Sequence, residues 1–63
     1  MTETETGALS ALSELLDLTD VSDWRLIHAT VREDVGTGRF SPEFEKAYKG
    51  LVDAKLEGNH EHT

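Results

Sequence analysis

Apolar residues first gather at Leu9, Leu12 and Leu16, three and four apart, with Ala8, Ala11, Leu15 and Leu18 widening the stripe. The stripe covers about half the circumference of a helix. Ser10, Ser13, Glu14 and Asp17 take the other half, and the pattern predicts a first helix over residues 8–18. A single neighbouring element needs only ~100° of apolar surface. The first helix is therefore expected either to lie between two others or to keep part of its stripe for a partner.

A second helix is predicted over 22–35. Ser22 is the expected N-cap, with Asp23 complementing the positive helix end and Val21 packing on Leu26 as a hydrophobic staple. Trp24, Ile27, His28, Val31 and Val35 form one face, and Gly36 offers a stop. The β-branched Ile27, Thr30 and Val31 admit a competing reading, a strand over 25–31 with a hairpin turn at 36–38. Against it, alternate residues of that stretch do not separate into an apolar and a polar face.

The third helix, predicted over 41–57, has the plainest start: Ser41 as N-cap, Pro42 at the first helical position and Glu43 beside the positive end. Phe44, Ala47, Tyr48, Leu51, Val52 and Ala54 make its apolar face, with Lys55 in line. Glu45 and Lys49 stand four apart in the favourable order, worth roughly 0.2–0.5 kcal/mol. Gly50 weakens the middle and is expected to mark a close helix crossing or a bend.

The connections, 19–21 and 37–40, are short, which suits helices that neighbour one another in sequence order. The fold expected is all-α, a small three-helix arrangement forming one domain over 1–63. Residues 1–7 and 58–63 are polar, lack apolar periodicity and are expected to be flexible. The alternative is an open hairpin of the second and third helices, with the first docked elsewhere.

A chain of 63 residues without cysteine buries only about 60% of its unfolded surface and has no disulfide to support it. Association with itself or with another protein is the expected support. The polar, acidic start and the lack of a long apolar run suggest neither a signal peptide nor a membrane span, so a cytoplasmic location is expected. Of the net charge of −7, residues 1–23 carry −6, with six carboxylates and no Lys or Arg. The remainder, seven acids against six bases, carries −1. Such asymmetry suits an interaction surface, and it equally suits simple solubility.

Candidate chemistry is thin. His60-Glu61-His62 has metal-binding donor types but sits at a polar chain end without the rigid support that ligands need. His28 reads as a hydrogen-bonded core or interface histidine before a catalytic base. Gly36-Thr37-Gly38 is half of a dinucleotide fingerprint without a preceding strand, and reads as a helix stop. No nucleophile motif is present. The expectation is a protein that is not an enzyme and uses no cofactor and no metal.

The second and third helices with a glycine turn loosely resemble a helix-turn-helix. Residues 41–57 carry a net −1, however, and phosphate attraction needs the opposite sign.

The reading favoured by the sequence is a small acidic helical interaction module, a regulator, inhibitor or accessory subunit of a larger protein, with Leu9, Leu12, Leu16, Glu14, Asp17, Asp20 and Phe40 as the partner-binding residues. A homo-oligomer is the other partner considered; direct binding to nucleic acid or membrane is not expected. One alternative is a carboxylate-rich nucleic-acid mimic of the anti-defence type that inhibits a DNA- or RNA-binding protein. Another is a small dimeric helix-turn-helix DNA-binding regulator.

Overall fold

The computed structural model describes residues 1–61, with side chains described as far as Gly58. The first helix starts on a reciprocal pair. The Glu5 backbone N–H donates to the Thr2 hydroxyl (3.2 Å), and the Thr2 N–H donates to the Glu5 carboxylate (3.0 Å). This capping box satisfies donors that a helix start leaves free. Helix α1 therefore spans Glu3–Leu18, which corrects the boundary expected at Ala8. Residues 3–7 form its first turns, because a Thr-x-x-Glu cap can start a helix where no apolar periodicity announces one.

A single 3-10 turn, Val21–Asp23, turns the chain into α2, Trp24–Gly36. The expected cap at Ser22 is corrected: Ser22 lies inside the turn, and Asp23, which precedes α2, makes no side-chain cap bond. The Asp23 N–H donates to the Asp20 carbonyl at 2.8 Å, so the 3-10 turn itself supplies a partner for a leading N–H. Val21 and Leu26, expected to close as a staple, both remain exposed.

At the far end of α2 the stop is Gly38 rather than Gly36. Gly38 has φ +83°, its N–H donates to the Val35 carbonyl (3.1 Å), and the Arg39 N–H donates to the Asp34 carbonyl (2.9 Å). These two bonds make a Schellman motif, which needs a left-handed residue and so favours glycine there.

Helix α3 spans Pro42–Glu61, past the expected end at 57. Ser41 stands before it as predicted, its hydroxyl accepting from the Phe44 N–H at 3.3 Å. No helix crosses at Gly50: a Cβ there would meet nothing within 4 Å, and α3 runs through it unbroken.

The start of α1 lies beside the start of α3, through Glu5 and Ser41, and its end lies beside Lys55, through Asp17. The two helices are therefore parallel, and α2 returns antiparallel between them in sequence. Helix α3 packs against both others, whereas direct contact between α1 and α2 is sparse. The core consists of Leu16, Trp24, Ile27, Val31, Phe44, Tyr48 and Val52, with Leu9, Leu12 and Phe40 among the partly buried residues against it. The described residues contain no strand, so the competing reading of 25–31 does not hold.

Candidate functional site

The corner where α1 hands over to α2 is pinned by one indole. Trp24 Nε1–H donates to the carbonyls of Leu16 (3.0 Å) and Thr19 (2.9 Å), adding to the Thr19 N–H that already donates to Leu16 (3.3 Å) at the end of α1. Leu16 and Trp24 turn inward there and are 0% and 4% exposed. Their neighbours consequently turn outward. Leu15 is 47% exposed, Leu18 85%, Val21 49% and Leu26 65%.

The helical repeat explains the arrangement on α1. Successive residues sit ~100° apart, so Leu15 and Asp17 fall on opposite flanks of the inward Leu16. Asp17 faces α3, where its carboxylate accepts from Lys55 Nζ at 2.6 Å. Leu15 thus lies on the flank away from Asp17, where it is left exposed. The broad stripe read from the sequence is only partly used: its Leu9, Leu12 and Leu16 ridge meets the core, and Leu15 and Leu18 are left over.

Carboxylates surround these leucines. Glu14, Asp17, Asp20 and Asp23 are all exposed. Against them stand Lys55, bonded to Asp17, and Arg25. Leu56, 41% exposed, extends the same end of the molecule from α3.

The partner-binding residues predicted from sequence divide. Leu16 is withdrawn from the surface altogether, which corrects its assignment. Leu9 and Leu12 pack against the core, and so does Phe40, whose ring stacks on Phe44 with centroids 4.2 Å apart. Glu14, Asp17 and Asp20 lie on the surface around the corner. Leu15, Leu18, Val21 and Leu26, which the sequence reading did not single out as partner-binding, are the large exposed apolar residues of this corner. Leu15 and Leu18 were visible as the edges of an overwide stripe, and Leu26 already lay off the Trp24, Ile27 and Val31 face; its exposure was hidden by the staple expected with Val21.

A second concavity, about 270 Å3, runs between α2 and α3 and is lined by His28, Val31, Arg32, Glu45, Tyr48 and Lys49, among others. His28 Nδ1 and the Tyr48 hydroxyl lie 2.6 Å apart and their rings meet edge to face. Burial pushes the Tyr48 hydroxyl above its usual range. The expected hydrogen bond of His28 is thus to a tyrosine; no described carboxylate bonds to this histidine. Arg32 shares the groove with Glu45 and Asp53, so carboxylates interrupt the basic strip that a DNA-binding surface requires.

The third polar cluster lies at the opposite end. The Glu5 carboxylate, on a residue only 6% exposed, accepts from the Thr2 N–H and hydroxyl through Oε1 and from the Ser41 N–H and hydroxyl through Oε2. The Thr2 and Ser41 backbone donors, followed by the Ser41 hydroxyl, hold its pKa down to about 2 against the opposing effect of burial. Every oxygen is committed within the protein, so this carboxylate joins helices and is not free for chemistry.

Among the described residues, no group of three or more His, Asp or Glu side chains is placed to hold a metal ion. The His60-Glu61-His62 trio lies outside the described side chains. No described helix is long and apolar enough to cross a membrane. No known protein family, characterised protein or solved structure matches this chain.

Proposed function

We propose that this chain is a small protein-interaction module, a regulator, inhibitor or accessory subunit, and that it docks on a larger protein through the α1–α2 corner. One observation carries the reading: Leu15, Leu18, Val21 and Leu26 all stand exposed around a single interhelical turn, in a chain whose core has little apolar surface to spare. Exposed apolar patches rimmed by polar residues mark interaction sites more often than bare surface does.

Magnitudes support a docking role that is not purely apolar. Covering the exposed parts of these four side chains contributes roughly 4–7 kcal/mol at the usual value per buried side chain. Association costs about 4–15 kcal/mol. The leucines alone give weak binding, and the charged rim has to contribute.

The test is capture of partners from the native cell by the wild-type chain and by an L18S/L26S variant. Both replaced residues are exposed, so the helical circular dichroism spectrum is expected to be unchanged while partner capture is lost. Undiminished capture by the folded variant overturns the reading. Capture that survives L18S/L26S but collapses with added salt favours the nucleic-acid mimic instead.

A further inference from the structure

We infer that the segment fitting this corner is a basic amphipathic helix of another protein, an apolar ridge flanked by Lys and Arg. The inference rests on the docking role proposed above and deepens it.

The first argument is charge. Glu14, Asp20 and Asp23 are exposed and without an ion-pair partner among the described residues, while Asp17 has Lys55. A second copy docking through the same corner would be isologous, each surface meeting itself. That sets each carboxylate rim against its own image, and like charges across an interface cost several kcal/mol. Nucleic acid is disfavoured for the same reason. Lys and Arg flanking an apolar ridge turn the same rim into an attraction.

The second argument is shape. Leu15 and Leu18 are three apart and exposed on α1, and Leu26 is exposed on α2 just across the turn. Exposed apolar residues on two consecutive helices accept a further helix that lays residues spaced three and four apart against them. Direct contact through a loop offers no such match.

The experiment uses the full chain and three synthetic helical peptides of about 18 residues, five turns. One has a leucine ridge flanked by Lys, one has the same ridge flanked by Glu, and one keeps the Lys but replaces Leu with Ser. Binding is followed by methyl NMR. The Lys-flanked leucine peptide is expected to shift the Leu15, Leu18, Val21 and Leu26 methyl signals saturably, and the other two to bind at least roughly tenfold more weakly. A D20N/D23N variant is expected to lose about threefold or more in affinity for the Lys-flanked peptide. Sedimentation of the free chain is expected to show a monomer.

Equal binding of the Lys- and Glu-flanked peptides at these methyls overturns the basic partner and leaves the docking role standing. Equal binding of the Ser peptide overturns the apolar ridge. A dimer that forms through the same methyls overturns the choice of partner. Failure of both leucine peptides overturns this inference, and if L18S/L26S also captures native partners normally, the docking role falls with it.

Discussion

The Glu5 carboxylate accepts both the backbone N–H and the hydroxyl of Ser41, at 2.9 and 2.8 Å, so one side chain fastens the beginning of α1 to the beginning of α3. The same carboxylate closes the capping box with Thr2. Two helix starts, distant in the chain, depend on one ionised group.

That dependence predicts an acid-sensitive contribution to stability. Glu5 titrates near 2 in the folded protein, against an ordinary value of 4.5, so the native state holds this proton less tightly than the unfolded state. Its contribution is complete above about pH 4.5 and is lost as pH falls toward about 2. Glu5→Gln is expected to be less stable than wild type at neutral pH, with the gap between their urea midpoints closing across that window. A gap that stays constant down to pH 2 rules the assignment out.

Leu16 and Leu18 are a matched pair for separating core from surface. Leu16→Ala empties a fully buried site and is expected to cost about 2–5 kcal/mol, enough to unfold much of so small a protein. Leu18→Ala, at an 85% exposed position, is expected to stay within about 0.5 kcal/mol of wild type. Urea titrations followed by circular dichroism measure both.

Trp24→Phe keeps an aromatic ring but removes the N–H that serves Leu16 and Thr19. The loss of that donor at a buried corner is expected to destabilise by about 2 kcal/mol. Faster amide exchange over residues 16–24, compared with wild type, locates the effect.

Gly50→Ala is expected to stabilise. The added methyl meets nothing within 4 Å, and alanine is favoured over glycine inside a helix by about 1 kcal/mol. In a domain of this size that corresponds to a rise in Tm of roughly 4–8 °C. A fall in Tm instead reveals a role for Gly50 that its open surroundings do not explain.

The three helices were legible because Leu9, Leu12 and Leu16, Trp24, Ile27 and Val31, and Phe44, Tyr48 and Val52 repeat at helical spacing. Ser41 with Pro42 was equally plain. The early start of α1 was not, since its only local signal was a Thr-x-x-Glu box among polar residues. The exposed apolar corner was legible only in outline. The stripe on α1 is too wide for one neighbour, but which leucines it leaves over is decided by α3, which takes Leu16 and, through Lys55, the Asp17 flank. Leu26 was hidden for another reason: a staple with Val21 was expected to cover it, and Val21, drawn into the 3-10 turn, leaves both residues exposed.

The links between the helices also differ in how much chain they close. The bonds of Trp24 to Leu16 and Thr19 reach back across 8 and 5 residues, whereas the Glu5–Ser41 link encloses 36. Closing the shorter loops gives up less chain freedom, so the α1–α2 corner is entropically the less costly of the two junctions to hold. Leu15 and Leu18 stand on the half of α1 that borders it.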